Sequence, residues 1–289
     1  ILTAARGTRS CQVILMFCMN KIPRPSVARC RGMISISADK KKTKKIKLWA
    51  VIFWLAVWQA ASMAIGQEIL LVSPPAVLFR LFQLVWTADF WQAVGFSLIR
   101  IAGGFFCAVI AGVIFAGLSA RWQWFGQLLS PAILTIKAIP VASFIILVLI
   151  WISSKNLSIL ISFLMVLPII YTNVLDGIGA VDKNLLEMAE VFQVPAGRRL
   201  RYIYISQVLP FFRSGCSIAL GLCWKSGIAA EVIGIPDHSI GEHLYNAKVY
   251  LDTPDLFAWT LVIVLISIAF EKLFLTVLDA AVRYTERMV

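Results

Sequence analysis

Residues 157–178 read LSILISFLMVLPIIYTNVLDGI, and Asp176 is their only charged side chain. A bilayer core about 30 Å thick asks for about 20 helical residues at 1.5 Å rise each. This run is long enough, and a helix satisfies its own backbone hydrogen bonds where lipid offers no partner. Working outward from it, the same test selects five more runs. Residues 48–65 carry no charge, 92–119 only Arg100 and 126–152 only Lys137. Residues 207–233 hold Arg213, Lys225 and Glu231, and 254–282 hold Asp255, Glu271, Lys272 and Asp279 towards the ends. A membrane barrel would instead show short alternating strands. The expectation is an all-α membrane protein with six transmembrane helices. The chain as a whole agrees, being 60% hydrophobic and 15% charged, against roughly 25% charged in soluble domains. A soluble globular domain is excluded.

The net charge of +12 would suit nucleic acid, but its placement does not. Six lysines crowd into residues 40–47, before the first expected span. Arg121 follows the second, and Lys183, Arg198, Arg199 and Arg201 follow the fourth. Arg283 and Arg287 follow the sixth, while the alternate loops hold only Arg80, Lys155 and Lys248. Charge that tracks loop parity follows the positive-inside rule and puts both termini in the cytoplasm. The 6 cysteines form no CxxC pair, so neither a disulfide framework nor a metal site is implied. Two regions follow: residues 1–47 as a cytoplasmic basic tail, and 48–289 as the transmembrane domain. Within the tail, 13–19 is apolar but far too short to span, and no A-x-A-like cleavage site follows it. Residues 1–32 therefore read as translated upstream sequence, with the functional start expected near Met33.

Two connections have structure of their own. Ser73-Pro74-Pro75 opens a helix over 76–86 with Val77, Leu78, Leu81, Leu84 and Val85 at helical spacing, an amphipathic element on the outer surface. Between the fourth and fifth runs, Asp182 caps a helix over 183–193 with Leu185, Leu186, Ala189 and Phe192 on one face. Val194-Pro195-Ala196-Gly197 breaks it, and a basic segment, 198–204, leads back to the membrane. Such a helix either lies on the lipid interface or docks against a partner. Periodicity leaves both open.

The residues themselves narrow the choice. Leu185-Leu186-Glu187-Met188-Ala189-Glu190, with Arg198 to Arg201 and Val208-Leu209-Pro210, resembles the cytoplasmic EAA loop of ABC-importer permeases. Ser97-Leu98-Ile99-Arg100-Ile101, Lys137-Ala138-Ile139-Pro140 and Ala229-Ala230-Glu231-Val232-Ile233-Gly234 are similar to the nitrate/sulfonate/taurine/bicarbonate branch. The resemblance runs from about Leu48 to the C-terminus. It implies a type I permease, paired with a second copy, whose loop acts as a coupling helix between helices 4 and 5. It also implies separate cytosolic ATPase subunits and an extracytoplasmic solute-binding protein. The coupling residues it marks are Glu187, Met188, Ala189, Phe192, Gln193 and Gly197. Met188 stands where the motif has an alanine and Gln193 where it has glycine, so the bend is expected to shift to Pro195 and Gly197. The chain has no G-x-x-x-x-G-K-[ST] phosphate loop, so energy is expected from a partner, with no cofactor bound here.

Ionisable groups inside spans are candidates for function. Lys225, with Gly221, Ser226 and Gly227 close by, either faces the pathway and offsets an anionic solute or snorkels outward. Arg100 and Glu231 read as a structural ion pair. Lys137 before Ile139-Pro140 reads as a hinge beside the pathway or as packing. The segment Asp237-His238-Ser239-Ile240-Gly241-Glu242-His243 holds both histidines. They are five apart, off the spacing that puts two ligands on one helical face, so contact with the solute-binding protein is preferred to a metal. A permease for a small anion is the leading reading. A self-sufficient carrier or channel and an intramembrane enzyme are the alternatives, and the latter lacks a histidine in any span.

Overall fold

The computed structural model describes residues 48–67 and 70–287. The basic tail, the expected start at Met33 and Cys11, Cys18 and Cys30 lie outside the described residues. The chain divides into a unit ending at Ile52 and a second, Phe53–Val289. Helix α1, Leu48–Ile65, crosses that division, and α2, Pro74–Val85, follows. Then come α3, Ala88–Arg121, α4, Gln123–Ala138, α5, Val141–Leu149, and α6, Ser154–Gly179. The expected loop helix is α7, Lys183–Val191. A short α8, Ala196–Arg199, and a π-helical turn, Leu200–Tyr204, run without a break into α9, Ile205–Gly234. Helices α10, Ile240–Val249, and α11, Thr253–Arg287, complete the chain.

Four helical stretches are long and apolar enough to cross a membrane: α3, α6, the α8–α9 run and α11. The protein is therefore a multi-pass membrane protein. The third expected span is not one straight helix. It is the pair α4 and α5, bent by 105°. Pro140 has no N–H to give, and it pushes Ile139 into extended backbone at φ −74°, ψ 129°. The helix has to stop there. Helices α1 and α2 are the shorter apolar elements that remain.

At the centre, α6 lies against both α3 and α9. Inside lipid no hydrophobic force drives helices together, so packing of small residues must do it. On α3 the buried positions Ser97, Ile101, Gly104, Ala108, Gly112 and Ala116 recur every three or four residues. A Cβ on Gly104 would strike the Ile159 carbonyl oxygen and Ser162, and one on Gly112 would meet Ile170 at 2.9 Å. Gly227 and Gly215 of α9 are equally tight, against Ile101 and Asn173. Around this seam α11 is held to α9 by Arg213, which donates to both oxygens of Asp279 at 2.6 and 2.9 Å. Ser217 adds a hydrogen bond to Glu271 at 3.0 Å. Helix α2 sits on α11 through Arg80 and Asp255, 3.0 Å apart. Its Val77, Leu81 and Leu84 turn inward, whereas Leu78 and Val85 are exposed, contrary to the single apolar face expected.

Candidate functional site

The loop helix starts where the sequence places it. Asp182 accepts the Asn184 amide at 2.9 Å, the N-cap expected of a short acidic side chain. The Asp182 amide itself donates to Gln207 Oε1 at 3.0 Å, tying the base of α7 to the start of α9. Val181 and Ala189 are buried, and Leu185 and Leu186 are half-buried beside them. The other side of α7 points away from the chain. There Met188, Val191 and Phe192 are 52, 78 and 74% exposed. Phe192, expected on one face with Leu185, Leu186 and Ala189, stands instead among these exposed side chains, although its amide donates to the Met188 carbonyl at 3.0 Å and keeps it on the helical path.

The break has not moved to Gly197. Gln193 has φ 51°, the left-handed conformation that glycine adopts without a steric cost. Its amide donates to the Glu190 carbonyl and the next amide, Val194, donates to Ala189, both at 2.9 Å. These two bonds are the paired closure of a Schellman cap, with Gln193 in the position usually held by glycine and Pro195 following. Gly197 lies inside α8. The basic segment beyond is helical rather than a loose linker, because nothing after Pro195 forbids helix.

Lys225 is exposed on the side of α9 turned away from α6. Gly221, one turn before it, has no neighbour within 4 Å of where a Cβ would stand, whereas Gly227 is locked in the seam and lines no open face. Lys137 and Pro140 are exposed at the α4–α5 bend.

Arg100 and Glu231 stand near enough to feel each other's charge but make no direct salt bridge of the kind expected. Glu231 is 0% exposed and takes the Ser97 hydroxyl on Oε2 at 2.6 Å, while the Arg100 guanidinium lies 3.5 Å over the Phe96 ring. Ser97 also accepts the Ile240 amide at 3.0 Å. A buried carboxylate needs donors close enough for hydrogen bonds, and the serine reaches where the arginine does not. Sequence reasoning passed over Ser97, although its place in the small-residue stripe of α3 carried the signal.

The segment before α10 is committed to structure. Ser239 accepts the Glu242 amide at 3.0 Å, and Glu242 accepts the His238 amide at 2.6 Å, a reciprocal cap. His243 stacks on Trp259 with ring centroids 4.6 Å apart, its Nε2 3.4 Å from Asp89. Among the described residues, no three His, Cys, Asp or Glu side chains gather as metal ligands would.

The family described as binding-protein-dependent transport system inner membrane component matches residues 108–288. The chain belongs to this family. It is a permease component of a binding-protein-dependent importer. A putative aliphatic sulfonates transport permease of Escherichia coli is 29% identical, over 69% of this chain and 76% of that one. A nitrate import permease of Synechococcus elongatus is 25% identical over 67% and 73%. A riboflavin transport system permease of Chloroflexus aurantiacus is 27% identical over 74% and 80%. These relatives are transport permeases, not enzymes, and the permease described here joins them as an ABC-importer membrane subunit.

Proposed function

We propose that this permease pairs with a second copy of itself to form the membrane path of an ATP-driven importer for a small oxyanion. In this reading α7 is the coupling helix. The carrying observation is the apolar trio Met188, Val191 and Phe192, held outside the bundle on a helix fixed at both ends by Asp182 and Gln193. Exposed side chains of that kind need a cover, and a groove on a separate cytosolic ATPase supplies one. Met188 in place of the motif alanine adds to that contact.

The path consists of six crossings, with α1 and the bent α4–α5 pair joining the four longer stretches. In this reading α7 and both termini lie in the cytoplasm, which the positive charge of the loops on that side supports. The opposite side then carries α2, α10 and the segment Asp237 to His243, where a solute-binding protein delivers its cargo. An anionic cargo agrees with the sulfonate and nitrate relatives.

Cysteine cross-linking tests the reading. Met188→Cys or Phe192→Cys, in native membranes with a co-expressed cognate ATPase, is expected to capture that ATPase. Phe192→Asp is expected to cut import tenfold or more while the subunit still reaches the membrane. Continued import with no capture from either position overturns it.

A further inference from the structure

Helix α9 has two unlike sides. One packs into the seam through Cys216, Leu220, Cys223, Trp224 and Gly227. The other presents Ile218, Leu222, Lys225 and Ile233 at helical spacing, all exposed in the single chain. Lys225 is the one charge on that side between Ser214 and Ile233, and it makes no ion pair or hydrogen bond among the described residues. It lies nine residues, roughly 14 Å, from the end of the helix at Gly234. A lysine stem does not reach an interface from that depth, and an ammonium against hydrocarbon is costly. Glu231 does not neutralise it, being turned into the packed side and held by Ser97. One turn before Lys225 on the same side, the missing side chain of Gly221 leaves open space, with nothing within 4 Å of where a Cβ would stand.

We propose that Lys225 is the anion-binding group of the transport path, facing a water-filled passage in which a small oxyanion seats beside Gly221. This rests on the paired-permease reading above. In a pair built across this side of α9, each copy contributes one ammonium. Two like charges approaching each other across a narrow passage with apolar walls repel, and an oxyanion between them relieves that repulsion. A neutral solute gains nothing from such a site, so the residue sets the charge class of the cargo.

A cysteine placed beside the lysine tests this without the ATPase. Gly221→Cys is introduced into the full chain in membrane vesicles, with the unsubstituted chain as background. Each is treated with an anionic sulfonatoethyl and a cationic trimethylammonium-ethyl methanethiosulfonate. The expected result is labelling by both, with the anionic reagent about tenfold faster, and loss of that preference in Gly221→Cys/Lys225→Met. Failure of both polar reagents to react overturns the passage. A preference that survives Lys225→Met, or no preference at the start, overturns the role of Lys225. Cross-linking at Met188 is independent of all three outcomes, so the coupling reading stands or falls separately.

Discussion

Ser97 donates its hydroxyl to Glu231 across 2.6 Å and accepts the Ile240 amide at 3.0 Å, so a single oxygen ties α3, α9 and α10 together. All the groups involved are buried. Ser97→Ala removes both bonds and leaves a carboxylate oxygen and an amide short of a partner, at about 1–3 kcal/mol for each buried unsatisfied group. The thermal midpoint of the detergent-solubilised permease is expected to fall by several degrees. An unchanged midpoint means that the bond carries no weight.

Gln193 occupies a left-handed position at about 1 kcal/mol above what glycine would need. Gln193→Gly is therefore expected to stabilise the end of α7. Hydrogen exchange at the Gln193 and Val194 amides should slow by about fivefold, the factor that 1 kcal/mol corresponds to. Gln193→Val, branched at Cβ, should speed it. Equal exchange in all three chains contradicts the cap.

The seam between α3 and α6 gives a paired test within one helix. Gly112→Val drives side-chain atoms into Ile170 and the Tyr171 amide, and overpacking of this kind costs about 1–3 kcal/mol. Gly103→Ala meets nothing within 4 Å. Yield and thermal midpoint are expected to drop for the first and hold for the second. Similar losses from both would mean that α3 is not seated as described.

The 105° bend after Ala138 depends on Pro140. Pro140→Ala restores an N–H and frees Ile139 to adopt helical backbone. Spin labels at Leu134 and Ile146, both exposed, are expected to move apart towards the roughly 18 Å axial separation of a straight helix. A distance that stays short shows that packing, not the proline, sets the bend.

Much of this architecture could be read in the chain because lipid imposes a single rule, length without charge. Helices α3, α6, α9 and α11 all answer to it. What escaped were features set by contacts between helices. Two serines and an arginine stand near Glu231 in the fold, and only distance shows that Ser97 is the partner while Arg100 rests on Phe96. Phe192 shares the spacing of Leu185 and Ala189 and still sits on the helical path, yet it is exposed, because spacing does not say how far round a helix its neighbours reach. Glycine-to-glutamine at that cap looked like a reason to move the turn. The backbone bonds to Glu190 and Ala189 outweigh the side chain's preference, so the turn stays. The opposite fates of Gly221 and Gly227 depend on which side of α9 finds a neighbour, which spacing alone does not say.

From Ala196 to Gly234 the backbone is one unbroken rod of 39 residues, about 58 Å long at 1.5 Å per residue, nearly twice the thickness of the oily layer it traverses. It begins three residues beyond the Gln193 turn and passes Lys225 before it ends. A rod of that length is stiff except where its hydrogen-bond ladder is interrupted, and it is interrupted twice near its foot, at the π turn over Leu200–Tyr204 and at Pro210, which has no N–H to give.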